Sequence, residues 1–355
     1  MKELETLIGR EYKKANRKVR DKANLFFKQY EAKEKIKRDQ FERDVITKQE
    51  YIEWRRNQLL IDSRWNEMRN TLAEDFHNAN VLARQVMYGA MPYVYALNHS
   101  YGTYEVEHQS LVDTSYTLYS REAAEYILQG KALLPTALQH GKEIDFQSSD
   151  EYMMPRLGKE AAQRIRESRD VLWNRQQIQS VALQGILQGQ SIPDLASCLE
   201  AVTERNHNAA IRNARTMTTN VENAGRQASY ERAQKLGIEI QKTWVSTLDG
   251  RTRHEHRLLN GQTVNINESF WVEGMQIDYP GDPQAEAELV YNCRCTMVSQ
   301  IKGFETDINE YRTDPALGDM TYAEWVNAKA QSEPIDKQEQ IARIMKGRYA
   351  AEYRR

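Results

Sequence analysis

The pattern of hydrophobic and polar positions predicts long helices in the N-terminal part of the chain. Residues 2–45 carry 14 Lys and Arg against 9 Asp and Glu, and their sparse apolar positions fit one long helix with a wet surface. Thr47 and Glu50 have the spacing of a capping box, which predicts the start of a second helix. Gly89 and Pro92 are expected to end that helix, because both residue types disfavour a helix interior.

The middle of the chain predicts further helices. The tyrosine-rich stretch 93–119 is interpreted as short irregular elements. Residues 157–189 have amphipathic helical spacing, and 191–199 are expected to form a short separate helix. Residues 205–237 repeat small apolar side chains at alternating steps of four and three, which predicts a closely packed helix seam. The seam positions are Ala210, Ala214, Met217, Val221, Ala224 and Ala228.

The pattern changes from a helical to a strand-like period after Gly237. Asp249-Gly250 and Asn260-Gly261 are turn signals between short candidate strands. The sequence therefore predicts a mainly α protein with long helices at the N-terminus and middle, a small compact α+β domain and a helical tail. The predicted regions are 1–150 (helical), 151–237 (long helices), 238–302 (α+β) and 303–355 (tail).

Composition strengthens the helical interpretation and narrows the function classes. The chain has 355 residues, a formal net charge of −2, and only 17 Gly and 8 Pro. Scarce Gly and Pro favour helix, and the near-neutral charge gives no support to a nucleic-acid coat or an acidic-lipid binder. The mean hydropathy of −0.78 is low for this length and indicates elongated helices or extensive partner contacts. No signal peptide or membrane-spanning run is evident, so we expect a soluble cytoplasmic protein without a membrane partner.

The candidate chemistry lies in two short clusters. His254 and His256 are separated by one residue, as are Cys293 and Cys295, and these are donor types that zinc prefers. Three interpretations are open: a buried structural pair, one zinc held by His256, Cys293 and Cys295 with Asp249 or His254 as fourth ligand, or a nucleophilic thiol activated by His256 and oriented by Asp249. No other cofactor is expected.

A longer constellation surrounds these residues and resembles a known family. A Trp-bearing strand leads into Asp-x-Arg-Thr-Arg-x-x-His, followed by a Gly, a Pro-Gly-Asp and finally Asn-Cys-Arg-Cys. This order is similar to that of the phage minor head or head morphogenesis proteins, the phage Mu F-like family. His254 lies at a position that the motif does not specify. The matching residues are Trp244, Asp249, Arg251, Thr252, Arg253, His256, Gly261, Pro280, Gly281, Asp282, Asn292, Cys293, Arg294 and Cys295.

The resemblance implies a virion component. Family members enter the procapsid, associate with the portal protein and in some cases contact packaged double-stranded DNA. The resemblance therefore implies an assembly protein of a tailed bacteriophage, made in the host bacterial cytoplasm and located in the head interior or at the portal vertex, with the portal and procapsid or scaffold components as partners. We expect its motif residues to be structural, with charge-assisted hydrogen bonds of Asp249 to Arg251 or Arg253 and of Asp282 to Arg294.

Two other hypotheses stand beside the assembly protein. One is an enzyme that acts during assembly or after ejection, with a site made of Asp249, His256 and Cys293 or Cys295. The other is sequence-independent DNA contact through the N-terminal bases and a helix face bearing Arg205, Arg212 and Arg215, because residues 205–237 carry six bases against two acids. A solvated charged face explains the same pattern.

Overall fold

Helices form most of the protein, as the sequence predicts. The computed structural model describes residues 1–59, 63–129, 131–134, 159–304 and 314–331. The mainly α fold with small antiparallel sheets near the C-terminal part and a helical tail segment is confirmed. The helices are α1 Lys2–Lys28, α2 Glu31–Glu42, α3 Lys48–Leu59, α4 Ser63–Ser110, α5 Arg121–Leu128, α6 Lys159–Leu187, α7 Ile192–Lys235, α8 His254–Leu259, α9 Ala287–Val290 and α10 Tyr322–Gln331, with a 3-10 turn at Pro315–Gly318.

The predicted single helix over 2–45 is wrong, because the chain turns between α1 and α2. Tyr30 closes the turn with a backbone hydrogen bond to Phe27 of 2.9 Å. The rings of Phe26 and Tyr30 pack 5.4 Å apart, and Phe26 also packs on Trp65 at 5.7 Å. Burial of these rings holds the backbone in the turn. The charged pattern alone predicts that the helix continues through this point.

The capping box at the start of α3 is confirmed, whereas the end predicted for this second helix at Gly89 and Pro92 is wrong, because α3 ends at Leu59 and those two residues lie inside α4. The Thr47 backbone N–H donates to Glu50 at 2.8 Å, and the Glu50 N–H donates to the Thr47 hydroxyl at 3.2 Å. Helix α4 continues through Gly89 and Pro92 to Ser110, so only 111–119 of the tyrosine-rich stretch is irregular. The residues around Pro92 are buried, so packing outweighs the one helical hydrogen bond that proline removes.

Helix α7 is also longer than predicted. The chain does not break between 199 and 205, and one helix runs from Ile192 to Lys235. Leu199 and Val202 are fully buried there, and neither Gly nor Pro occurs between 199 and 205. Of the predicted seam, Ala210, Ala214, Met217 and Val221 are buried, while Ala224 and Ala228 are half-buried.

A three-stranded antiparallel sheet begins after Gly237, as the change in pattern predicts. Its order is β2-β1-β5, where β1 is Ile238–Val245, β2 Thr263–Asn265 and β5 Thr296–Phe304. Strand β1 pairs Trp244 with Met297 and Thr243 with Thr263. Strands β3 (Phe270–Val272) and β4 (Met275–Ile277) form a separate hairpin. The sequence did not indicate β4, α8 or α9, which are too short to carry a periodic signal.

The chain divides into two compact units. The helical unit comprises Glu5–Gln85 and His140–Ile211, and the mixed unit comprises Met1–Leu4, Val86–Gln139 and Arg212–Arg355. The helical unit has one described core, in which Phe27, Trp65, Phe76 and Leu199 are fully buried. The region boundaries expected from the sequence at 150, 237 and 302 stay predictions.

The mixed unit has three described apolar clusters. One lies under β1 and the β3–β4 hairpin and contains Trp244, Phe270, Cys293 and Cys295. A second joins α4 and α7 to the opposite end of β1, and a third packs Trp325 of α10 on Tyr116. Within the described part of the chain, none of the helices is long and apolar enough to cross a membrane.

Candidate functional site

The C-terminal end of β1 places Trp244 at the centre of the motif. Alternate residues of β1 point into the domain, and Trp244 is the last of them. Its indole ring contacts His256 and Phe270 edge-on, with ring centroids 5.9 and 5.3 Å apart. The indole Nε1–H donates to the Ser246 hydroxyl at 3.0 Å, and this hydroxyl donates to the His256 carbonyl at 2.5 Å. Trp244 and Ser246 thus fix α8 against the end of the sheet.

His256, Cys293 and Cys295 form one buried group. Their donor atoms all lie within 4.8 Å of one another. His256 Nδ1 is 3.0 Å from the Cys295 sulfur and 3.6 Å from the Cys293 sulfur. The Cys295 backbone N–H also donates to the Cys293 sulfur at 3.3 Å. Of the sequence-predicted candidates, the structure brings these three together.

Arg253 determines which nitrogen of His256 carries hydrogen. The Arg253 guanidinium lies 2.9 Å from His256 Nε2, and it also donates to the Tyr291 carbonyl at 2.8 Å. A guanidinium is always a donor, so Nε2 must accept. The hydrogen of the neutral ring is therefore on Nδ1, where it points at the Cys295 sulfur.

The two thiols have opposite acid–base character. Two hydrogen bonds lower the pKa of Cys295 below its ordinary value: the one from Cys293 has the larger effect and the one from His256 the smaller. The same pairing together with burial raises the pKa of Cys293 well above its ordinary value. Cys295 is therefore the more acidic of the two thiols.

The group could hold a metal ion, since its three donors are of types that bind transition metals. The surrounding hydrogen bonds, however, do not fit zinc at His256. A metal-bound histidine donates its other ring N–H to an acceptor, whereas here the other nitrogen faces the Arg253 donor. The described residues also supply three donors, one short of the four in a structural zinc site.

The two residues proposed as a fourth ligand lie outside this group. The Asp249 carboxylate is at the surface, where both its oxygens accept from Arg294 at 2.6 and 2.8 Å. These hydrogen bonds hold the pKa of Asp249 well below its ordinary value. His254 is exposed and lies 3.5 Å from the Glu273 carboxylate. Neither residue is placed to complete a metal site or to orient His256.

The Asp249–Arg294 pair joins the loop after β1 to the segment just before β5 that carries both cysteines. The Asp249 carboxylate also accepts the Arg251 backbone N–H at 2.8 Å, while the Arg294 carbonyl accepts from Thr247 at 2.9 Å. The prediction that Asp249 pairs with the side chain of Arg251 or Arg253 is thus wrong. The Arg251 side chain is exposed.

The Pro-Gly-Asp segment lets the chain approach helix α7. Gly281 has a φ of 86°, and a Cβ there would lie 2.7 Å from the Asn220 backbone nitrogen. Pro280 and Asp282 on either side are buried. The Asp282 carboxylate accepts the backbone N–H of Gln284 at 2.9 Å rather than pairing with Arg294 as expected. Burial raises the pKa of Asp282.

Polar residues on one face of α7 hold the cysteine segment, and they were not among the site residues predicted from the sequence. The Thr216 hydroxyl accepts the Asn292 N–H at 2.9 Å, and the Thr219 hydroxyl donates to the Cys293 carbonyl at 2.7 Å. The Asn223 amide donates to the Cys295 carbonyl and accepts the Met297 N–H, at 3.3 and 3.2 Å. Steps of three and four among Thr and Asn within the apolar seam are the signal that identifies this face.

Two further motif residues shape turns. Asn292 has a φ of 53°, which aims its N–H at α7 and the following Cys293 into the core. Gly261 has a φ of 82° after α8, and its N–H donates to the Trp244 carbonyl at 2.8 Å. Asn and Gly are the residues that adopt this left-handed conformation most readily.

The bases considered for DNA contact fall in both units. In the helical unit, Arg205 is exposed and donates to Gln177 at 2.6 Å. In the mixed unit, Arg212 is exposed and Arg215 is half-buried. The outer face of α1 in the helical unit carries exposed Arg10, Lys13 and Arg17 at steps of three and four.

The mixed unit also exposes large apolar side chains. Val245, Leu248, Leu258 and Trp271 are 37%, 60%, 52% and 58% exposed, and we call these four the apolar patch. Their segments are tied together: Gln262 bonds both backbone groups of Trp271 at 3.1 Å, and Arg257 donates to the Asp249 carbonyl. Leu258 lies one helical turn after His254, which contacts the turn of the β3–β4 hairpin through Glu273. Exposed apolar side chains mark interaction surfaces where they lie close together.

Comparison with known proteins matches the motif-bearing part of the chain to one family. Residues 176–298 match the family model described as Phage Mu protein F like protein. The match contains α7, β1, Trp244 and the segment up to Met297, which are the elements that build the buried group. The chain thus contains a Phage Mu protein F-like domain, and the resemblance found in the sequence is confirmed.

Two curated proteins are similar to part of the chain. The NAD(+)--arginine ADP-ribosyltransferase EFV of Enterococcus faecalis is 30% identical over 172 residues, covering 48% of this chain and 35% of that protein. The minor head protein GP7 of Bacillus phage SPP1 is 31% identical over 154 residues, covering 42% of this chain and 49% of GP7. The matches thus span about a third and about half of these two relatives. No solved structure matches significantly.

Proposed function

We propose that this chain, with its Phage Mu protein F-like domain, is a minor head protein of a tailed bacteriophage that acts in head morphogenesis. The observation that carries the proposal is the similarity to a minor head protein over 154 residues. In the virion it is located in the head interior or at the portal vertex. During assembly it is located in the host bacterial cytoplasm. Its partners are the portal protein and procapsid or scaffold components.

We assign the motif residues a structural role in this function. Asp249 and Arg294 tie a surface loop to the cysteine segment, and Gly281 brings its loop against α7. His256, Cys293 and Cys295 are buried and bonded to one another. Such a network supports a domain of defined shape, which an assembly protein needs for docking.

The apolar patch is the proposed contact with the portal. Removing apolar area from water favours association, and aromatic side chains dominate the energetics of interfaces. Trp271 is the largest exposed side chain of the patch, and it stands on a hairpin held by backbone pairs to β4. The portal surface that receives the patch is accordingly apolar at its centre.

Capture by the portal encoded in the same genome tests this function. The full chain should copurify with the tagged portal, and the double variant Trp271→Ser with Leu258→Ser should bind at least tenfold more weakly. Tyr126→Ser is the matched control, because Tyr126 is 76% exposed in the same unit but lies on α5, outside the patch. Failure of the unaltered chain to copurify contradicts the proposed partner, and equal loss in the control contradicts the proposed surface.

DNA contact is a second part of the proposal and is electrostatic. The row of Arg10, Lys13 and Arg17 on α1 presents three exposed cations on one helix face. Arg205 belongs to the same unit, while Arg212 and Arg215 form a separate candidate surface in the mixed unit. Phosphate neutralisation by such residues needs no particular base sequence.

An enzyme is the second candidate function, favoured by the similarity to the ADP-ribosyltransferase. The matched region covers 35% of that protein, so the match does not by itself assign the activity of that protein to this chain. Incubation of the full chain with NAD+ and an arginine-containing acceptor distinguishes the candidates. A minor head protein releases no nicotinamide above background, whereas steady release that depends on the folded chain supports the enzyme.

A further inference from the structure

The buried group leaves two sulfurs as its available metal donors. His256 Nε2 accepts from Arg253, so Nδ1 carries the ring hydrogen and directs it at Cys295. A nitrogen that bears hydrogen has no lone pair for a metal. Cys293 and Cys295 are not restricted in this way, because each sulfur keeps lone pairs for a metal beside the hydrogen bonds that it accepts, from His256 at Cys295 and from the Cys295 N–H at Cys293.

We propose that Cys293 and Cys295 form a two-sulfur site for a soft monovalent cation, copper(I) in chemical class, and that Arg253 excludes zinc(II) from it. The donor atoms of the group lie within 4.8 Å of one another. Two metal–sulfur bonds of about 2.3 Å bridge sulfurs up to about 4.6 Å apart, so one ion can bind both sulfurs of so compact a group. Thiolates select soft cations, whereas zinc requires about four ligands.

The surroundings suit the charge of such a complex. Two metal–sulfur bonds form, each protonated thiol releases its proton to solvent, and the resulting bis-thiolate complex of a monovalent cation carries one negative charge. Arg253 supplies a nearby positive charge, and His256 Nδ1–H and the Cys295 N–H donate toward the sulfurs. Burial of both cysteines keeps water from completing a larger coordination shell.

Silver(I) is the redox-stable probe for this site. The parent for the test is Cys198→Ser, because Cys198 is the third thiol and lies in the helical unit beside Gln190. Titration of the full chain with silver nitrate in chloride-free buffer, followed by native mass spectrometry, should give one silver per chain. A second substitution, Cys293→Ser or Cys295→Ser, should weaken silver binding at least a hundredfold. Zinc sulfate should give no stoichiometric complex with the parent.

Arg253→Gln tests the role of the arginine without removing either sulfur. The glutamine carbonyl accepts a hydrogen bond from Nε2–H, so the ring hydrogen moves to Nε2 and Nδ1 becomes free for a metal. This variant should keep the silver site and bind zinc at least tenfold more tightly than the parent. Circular dichroism verifies that each variant is folded before titration.

Three results overturn the inference. The first is one zinc bound tightly by the parent and lost in His256→Gln. The second is the absence of a silver complex with the folded parent. The third is a folded Arg253→Gln protein whose zinc affinity equals that of the parent. The proposed assembly function does not depend on any of these results, since it rests on the family match.

Discussion

Single hydrogen-bond donors decide the chemistry of the buried group. Nothing in the spacing of Arg253 and His256 reveals that the guanidinium meets Nε2, yet this contact determines the tautomer of the ring. An interpretation of Cys293 and Cys295 as alternate residues of a strand puts both sulfurs on one face, and the sulfurs are indeed close, but the two residues lie just before β5 and not on it. It did not predict that Asp249 turns to Arg294, since that pair depends on how the loop after β1 folds back.

Lys242 should make stability rise with pH in the alkaline range. Its ammonium group is buried in β1, donates to the Asp278 carbonyl at 2.8 Å and lies over the Phe270 ring, and burial lowers the pKa of Lys242 to about 8. Between about pH 8 and the ordinary lysine value near 10.4, the unfolded chain binds the extra proton and the folded chain does not, so the free energy of unfolding increases with pH.

Lys242→Met checks this effect. Urea unfolding at pH 7.5 and pH 10 should show the unaltered protein gaining about 2 kcal/mol relative to the variant. Identical pH dependence in the two proteins would show that Lys242 is not the group responsible. A gain for the variant instead would mean that the folded state favours the charged ammonium.

Gly281→Ala should destabilise the domain through backbone contact with α7. The new Cβ would lie 2.7 Å from the Asn220 backbone nitrogen at a φ of 86°, so strain and overlap add. We expect a loss of about 3 kcal/mol in the free energy of unfolding. Gly274→Ala is the control, because Gly274 has a φ of 84° and nothing within 4 Å, and it should lose only about 1 kcal/mol. Equal losses would contradict the close approach to α7.

At the scale of elements, local signals were reliable and helix ends were not. The capping box at Thr47 and Glu50 predicted the start of α3, because its hydrogen bonds are local. Gly89 and Pro92 failed as end signals, because packing along α4 outweighs propensity there. The change of pattern at Gly237 predicted β1, yet the partners of the cysteine segment on α7 lie about seventy residues away and could not be read from spacing.

Asn223 holds the outer edge of β5 as a neighbouring strand would. Its amide bonds the Cys295 carbonyl and the Met297 N–H, both buried. Asn223→Ala leaves these two backbone groups unpaired, and we expect thermal or urea unfolding to report a loss of about 2–4 kcal/mol. Asn213→Ala on the same helix is the control and should be neutral or slightly stabilising, because alanine favours helix. A neutral Asn223→Ala would mean that water replaces the amide.

For the whole molecule, the proposed DNA contact predicts a steep dependence on salt. Replacing Arg10, Lys13 and Arg17 together with Gln should flatten the log–log slope of affinity against salt by about 2.7, because each phosphate that is no longer neutralised lowers the slope by about 0.9. Filter binding or anisotropy with two unrelated duplexes measures this slope. An unchanged slope, or strong preference for one duplex, contradicts DNA binding through α1.

The composition of purified procapsids tests the claim that this chain is a head assembly protein. Particles assembled with the unaltered chain should contain it in a fixed ratio to the portal by quantitative mass spectrometry. Particles assembled with the Trp271→Ser and Leu258→Ser double variant should contain at least tenfold less, while Tyr126→Ser should be incorporated normally. Procapsids that consistently lack the unaltered chain, although it is expressed and folded in the same cells, would contradict the claim.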